Sequence, residues 1–565
     1  MSKQHYFLFF VLIFFRLETY SQNLNLKVIG NDESETEILN NYDYGKTFID
    51  YNSVTIEIDS LRQKLFKDGY IENKLEELKR TNDSLLTASI SLRNKYDNVF
   101  IRYDGSLIRK SIIDLVSNEV SNTHFSIPFD DTERILNFLS TKITEDGFPF
   151  TKLKLSEIKI KNKNTIEANL TVIEDNKKRG LDKIVIKGYD KFPKSYLKHY
   201  LKIKPESTFN IEAIKKRINA LDNLRFANQI KEPEILFTND STQLYLYIEK
   251  TLSNTFDGFL GFSTNEETNA LEFNGYLNLE LNNNFNYGES FKLLYKSDES
   301  EQKNFEVKLN LPYLFNSPIG TELELNIFKK DSSFTTINQK AKLYYQLDSK
   351  SKLFLGIDTT ESNNLLDDDD DFSNIDDYKS KFYVMRYDFE NRRNYNQLFQ
   401  VNSALNLEIG LGSRNLNNTS ENQTKVALNA HHIFNLNKSN SLFMRLSGAL
   451  LSSDSFLDNE LIRFGGINSI RGFQENSLTA TLFGVLNTEY RYKLSNSVYA
   501  HTIIDYSRLE NKITNQKENL YGFGLGFGIV TKAGLLKFNF ANGKTENQKF
   551  KFSNSKIHLS LIAIF

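Results

Sequence analysis

The sequence predicts three tandem small α+β modules followed by a 16-stranded antiparallel transmembrane β-barrel. Three observations carry that prediction. A helix followed by two strands returns three times in the first half. From about Thr255 a period-2 alternation of apolar and polar residues replaces it, and the chain ends in an alternating strand closed by Phe565. The boundaries read as a signal segment at 1–22, modules at 24–103, 104–178 and 179–250, and a barrel at 255–565.

Met1 to Gln22 has the layout of a secretory signal. Lys3 supplies the positive start, Tyr6–Phe15 is an apolar run, and Ser21 lies in the polar stretch that ends at Gln22. Such a run is too short to cross a bilayer as a helix, which takes about 20 residues, so the protein is expected to be exported. No later segment is apolar enough for a membrane helix, and mean hydropathy is negative. That leaves a barrel open, because barrel strands spread their apolar surface over alternate positions. The 45 Phe and 28 Tyr, with no Trp, suit aromatic girdles at a membrane interface. The absence of Cys removes disulfides, thiolate metal sites, cysteine nucleophiles and a lipoprotein anchor together. A net charge of -2 makes no electrostatic case for nucleic acid.

The threefold repeat is read from its helix ends. The first copy runs through Leu61 and Leu65 to Gly69-Tyr70, then a turn at Asn82-Asp83. The second runs through Ile135, Leu136 and Leu139 to Gly147-Phe148, then a turn at Asn162–Asn164. The third runs through Ile214, Ile218 and Leu221 to Arg225-Phe226, then a turn at Asn239-Asp240. The pairs begin at 69, 147 and 225, so both steps are 78 residues. A leading strand precedes each unit, clearest at Lys183–Lys187. Helices cover one face of such a sheet and leave its edges free, either to accept an extended segment of another polypeptide or simply to space the barrel.

In the second half Phe305, Val307, Leu309 and Leu311 alternate with Glu306, Lys308 and Asn310, and Leu323, Leu325 and Ile327 with Glu322, Glu324 and Asn326. This suits lipid outside and a wet lumen inside. No Pro follows Pro318, as central strands require. Sixteen strands fit, with short inner turns at 282–284, 316–318, 348–350 and 437–440. Long outer connections are expected at 361–377, 412–423 and 452–482. The last strand places Ile557, Leu559, Leu561, Ala563 and Phe565 on one face, and its terminal aromatic resembles the C-terminal signal by which outer-membrane proteins are recognised.

The connection at 452–482 contains Phe464-Gly465-Gly466-Ile467-Asn468-Ser469-Ile470-Arg471-Gly472-Phe473. With its glycine pair and its place in the eleventh connection, this stretch resembles the BamA/TamA superfamily of outer-membrane assembly factors. The repeated modules of that family are POTRA domains, and the number here is TamA-like. The stretch Leu311-Pro312-Tyr313-Leu314-Phe315 also looks like the family. The resemblance implies that Gly465, Gly466, Ile470, Arg471, Gly472 and Phe473 form a loop folded back into the barrel, with Arg471 pairing acids on the next two strands.

Parity names those acids. Tyr490 and Tyr492 point to one face, so Glu489 points inward; Ile504 and Tyr506 suit lipid, so Asp505 points inward too. Arg471 between two carboxylates would be a charge-assisted clamp; otherwise it is a solvated loop residue. Gly522, Gly524, Gly526 and Gly528 fall on the inner face and are expected to make room for the loop. The resemblance further implies an outer-membrane location with periplasmic modules, and a role in inserting or translocating unfolded clients. The partners it implies are outer-membrane lipids, unfolded outer-membrane or secreted clients, and an accessory protein of the periplasm or inner membrane. A dedicated secretion barrel or a structural surface barrel stand as alternatives.

Other chemistry is sparse. His431-His432 point to opposite faces of a strand and cannot share an ion. Asp367–Asp371 is either a cation-binding or a solvated acidic loop. No nucleophile elbow, phosphate loop or zinc-ligand spacing occurs, so no catalytic residue, metal or cofactor is expected.

Overall fold

The computed structural model describes residues 23–106, 108–173, 177–264, 271–297, 302–366, 374–393, 396, 398–532, 534–548, 551–552 and 555–565. The signal segment at 1–22 and the acidic run Asp367–Asp371 lie outside them. The chain divides into two compact units. One runs through Arg179 and includes Thr208–Asn210; the other holds Gly180–Ser207 and Ile211–Phe565.

The first unit contains two modules. In the first, strands Leu24–Ile29 and Leu85–Ser91 run parallel at the centre of a four-stranded sheet, flanked by Thr47–Phe48 and Lys74–Arg80. The helix Tyr51–Lys67 starts where Asp50 accepts a hydrogen bond from the Ser53 N–H at 2.7 Å. Its Val54, Ile58, Leu61 and Leu65, spaced three or four apart, are buried with Leu86, Ala88 and Ile90 of the sheet. The helix stops at Gly69, whose φ of +100° lets the Tyr70 N–H reach back to the Leu65 carbonyl at 3.0 Å. Gly147 repeats that ending after the helix Thr132–Glu145 of the second module.

The boundary expected between these modules moves. Asn98–Arg102, assigned to 24–103, pairs in parallel with Thr165–Asn169 and is the central strand of the second sheet. Its Val99 and Ile101 are fully buried against Phe125, Ile127 and Ile166, which only the second module supplies.

In the second unit, the third module sets Lys183–Gly188 parallel and Ala227–Phe237 antiparallel to Thr242–Lys250. The barrel follows. Sixteen strands, each antiparallel to its neighbours, close Thr255–Thr264 against Ser555–Ile564. No helix among the described residues is long and apolar enough to cross a membrane. Alternation does the sorting: Glu322, Lys342 and Arg386 are buried within, while Leu323, Leu343 and Met385 stand exposed outside. Inside, Arg386 holds Glu322 with two parallel bonds of 2.7 and 3.0 Å, and Lys308 adds a contact at 3.1 Å.

One detail of the strand reading changes. The long outer connection expected at 412–423 does not exist, because Val401–Leu416 and Thr419–Asn435 run straight through it. Asn417 and Asn418, at φ +48° and +67°, turn the chain in two residues, a backbone that Asn adopts more readily than most side chains.

The third module docks on the barrel through its aromatic residues. Tyr196 is buried edge-on to Tyr313 and Phe226 and donates to the Gly288 carbonyl at 3.2 Å. Tyr200 donates to the Ser349 carbonyl at 2.9 Å, and Asn283 donates to Tyr189 at 2.7 Å. Three successive short turns, after the second, fourth and sixth strands, are thereby tied to one module. Burial pushes the Tyr196 and Tyr200 phenols well above their ordinary pKa, so both remain neutral donors.

Candidate functional site

The connection from the eleventh strand (Asn440–Ser452) to the twelfth (Leu482–Lys493) turns into the barrel. A small hairpin, Ile462–Phe464 with Leu478–Ala480, carries its tip. Phe464 stacks on Phe483 of the wall, with ring centroids 4.2 Å apart and planes within 3°. Ile470 is fully buried beside Val485, Leu509 and Leu520, so an apolar seat receives the loop.

Beyond that seat the wall is charged. Arg471, 5% exposed, lies between Glu489 of the twelfth strand and Asp505 of the thirteenth (Val498–Asn511). Its Nε and Nη2 reach the two oxygens of Asp505 at 2.9 and 2.6 Å, its own backbone N–H adds a third bond to that carboxylate at 2.9 Å, and Nη1 pairs with Glu489. The parity-selected acids therefore do face the loop. A buried guanidinium is tolerable only when paired and hydrogen-bonded on this scale.

Gly472 follows with φ +89°, and any Cβ there would press on the Gly543 backbone of the fifteenth strand (Gly534–Thr545). Gly465 and Gly466 also hold positive φ at the entry to the tip, and Phe473 packs at the edge of the apolar seat. The four inward glycines of the fourteenth strand (Gln516–Thr531) divide by role. A Cβ at Gly522 would meet the Arg471 carbonyl. At Gly526 and Gly528 it would meet His501 with Asn539 and the Tyr499 ring, and at Gly524 the backbone of the neighbouring strand. Only Gly522 makes room for the loop. The other three have different neighbours because the loop tip reaches only the upper part of that strand.

Several contributors escaped the sequence reading. Asn487 donates to the Ser469 carbonyl at 2.8 Å, and Arg445 supports Asn487 at 2.8 Å. Arg491 shares Glu489 with Arg471, at 2.8 and 2.7 Å. Gly543 receives Gly472 and Phe473. Asn487 and Arg491 share the inward parity of Glu489, so alternation admitted them; which inward residues touch the loop depends on its path. Phe565 pairs with Asn254 through N–H···O bonds of 3.0 and 3.2 Å, closing the barrel at the chain end. His432 bonds Ser403 at 2.6 Å while His431 lies against Phe443.

A family profile named POTRA, described as surface antigen variable number repeat, matches residues 181–250. Those residues are a POTRA domain. The chain is similar in fold to CdiB from Escherichia coli, at TM-score 0.53 and 14% identity, over 90% of this chain and 98% of that one. CdiB from Acinetobacter baumannii aligns at TM-score 0.52 and 15% identity, over 81% of this chain and 86% of that one. BamA from Haemophilus ducreyi lacking POTRA domains 1–3 aligns at 0.47 and 15%, over 77% and 93%. Among curated proteins, none matches the sequence. The chain thus sets a POTRA domain before a closed sixteen-stranded barrel, a fold it shares with CdiB. The first two modules repeat the helix-on-sheet plan of the POTRA domain.

Proposed function

We propose that the protein resides in a bacterial outer membrane with its modules in the periplasm, and that it handles unfolded client polypeptides, inserting them into the membrane or passing them across it. The observation that carries this reading is the loop tip held in the lumen by Arg471, Glu489 and Asp505, on a barrel whose rim bears a POTRA domain. The clamp holds the loop and with it the shape of the barrel. No bond-making chemistry enters. Edge strands of the modules, such as Lys152–Asn162, are where an extended client would add to a sheet, and its other contacts would be membrane lipids and a periplasmic or inner-membrane accessory protein.

The closure of the barrel supports a seam. Among the described residues the first and last strands pair only at Thr255–Ile564 and Phe256–Ala563, whereas their other neighbours pair over eight or more positions. Few backbone bonds need to break there for a client strand to enter. Depletion followed by proteomics of the outer membrane tests the proposal. A fall in many unrelated barrels supports general insertion. Loss of one exported protein supports dedicated secretion, the alternative reading. An unchanged outer membrane overturns both and leaves a structural barrel.

A further inference from the structure

The inserted loop is held at a second place, eleven residues before Arg471. Arg414, 1% exposed near the end of the ninth strand, pairs with Glu460 of the loop and with Glu421 of the tenth strand, and bonds the Ser455 hydroxyl at 2.6 Å. Glu421 accepts from the Ser453 hydroxyl at 2.7 Å, and Gln423 donates to Glu460 at 3.0 Å. Asn459, also buried, donates to the Ser362 hydroxyl on the seventh strand (Ser351–Asn364) at 2.9 Å and to the Asp376 carbonyl at 2.8 Å. Further along, Glu475 meets Lys296 of the third strand at 3.3 Å, and Gly472 lies against Gly543 of the fifteenth.

The strand numbers give the geometry. The seventh and fifteenth strands are eight apart, half of the sixteen, so they stand on opposite walls. One loop therefore crosses the full width of the lumen, pinned at its root by Arg414 and at its tip by Arg471. A buried arginine with two acid partners from different segments ties those segments together, and removing the guanidinium strands the acids.

We propose that the Arg414–Glu460–Glu421 cluster is a latch that keeps the loop across the lumen, so that the barrel conducts only when this root latch opens, whatever the state of the Arg471 clamp. This rests on the reading of the barrel as a passage or insertion device only for its purpose, since closure can be measured without any client. The two charge pairs act as one unit, because Glu460 and Glu421 share a single guanidinium.

The test is ion conductance of the purified full chain in planar lipid bilayers. Glu460→Gln is expected to raise the open fraction about tenfold or more, the loss of one charge-assisted bond, Arg414→Gln at least as much because it loses both acid partners, and the double variant no further than Arg414→Gln. Variants that stay as silent as the unaltered protein, while migrating as folded barrels in unheated gels, overturn the latch. If Arg414→Gln does not fold, Ser362→Cys with Asn459→Cys decides, since the chain has no other Cys. The oxidised pair should stay shut at voltages that open the reduced pair, and equal opening of the two overturns the proposal. A failed latch leaves client handling untouched, and a failed proteomic test leaves the latch untouched.

Discussion

Asp505 accepts three hydrogen bonds from Arg471, one from the backbone N–H and two from the guanidinium, while Glu489 receives one and divides its charge with Arg491. The two carboxylates are therefore unequal. Asp505 fixes where the loop backbone lies as well as where the side chain points. Glu489 supplies compensating charge to two arginines.

Arg471→Ala leaves Asp505 buried without its partner and should cost about 3–5 kcal/mol of barrel stability. Arg471→Lys keeps the charge but loses the fork that spans both acids, so it should recover only part of the loss. Loss of the heat-resistant folded form in unheated gels reads both. Equal stability of Arg471→Ala and the unaltered protein removes the clamp.

Asp505→Asn should destabilise more than Glu489→Gln, because hydrogen bonds to charged groups contribute about 1.5–3 kcal/mol each and Asp505 makes more of them with the loop. A double-mutant cycle with Arg471→Ala should show the larger coupling for Asp505. Equal coupling would mean that the backbone bond contributes little.

Gly522→Ala and Gly543→Ala should push the loop tip away from the wall, at about 1–3 kcal/mol each for overpacking. Gly484→Ala is the control, since nothing lies within 4 Å of a Cβ there. Protease cleavage near Arg471, faster in the first two variants and unchanged in the third, checks the assignment.

Tyr196→Ala should free the POTRA domain from the barrel rim, because it removes a buried ring worth about 3–5 kcal/mol in packing. Its raised phenol pKa sets the pH dependence. A tyrosine whose folded pKa lies above its unfolded value of about 10 contributes fully below that value and loses the contribution as pH rises further. Docking should therefore be intact at pH 8 and weaken above about pH 10. Hydrogen exchange of the 283–289 turn, protected at pH 8 and lost in Tyr196→Ala, measures it.

Much of this architecture could be read from the chain alone, and the physical reason is periodicity. A strand's side chains alternate by geometry, so Glu489 and Asp505 could be placed inside the barrel from Tyr490, Ile504 and Tyr506 without any coordinates. The 78-residue step of the helix ends located three modules for a similar reason, since each unit ends its helix at the same place, two of them at a glycine of positive φ and the third at Arg225-Phe226. Local turn chemistry was harder. Asn417-Asn418 reverses the chain in two residues inside what looked like a long polar loop, because polar side chains at strand ends resemble loop residues.

Pairing across the sheet lay beyond the sequence. Nothing local in Asn98–Arg102 says that it belongs to the second module; its partners stand more than sixty residues away at Thr165–Asn169. The same holds for the glycines of the fourteenth strand, where parity set the face and the loop's path selected Gly522. It holds most of all for Arg414. Its neighbours in the chain mark it only as a polar residue on a strand, and its partners Glu460, Glu421 and Ser455 come together when the loop has crossed the lumen. The sequence by itself determined which residues face inward, because alternation is a property of one strand. Which inward residues meet was decided only by tertiary structure, because barrel closure and loop insertion bring together groups that no local rule connects.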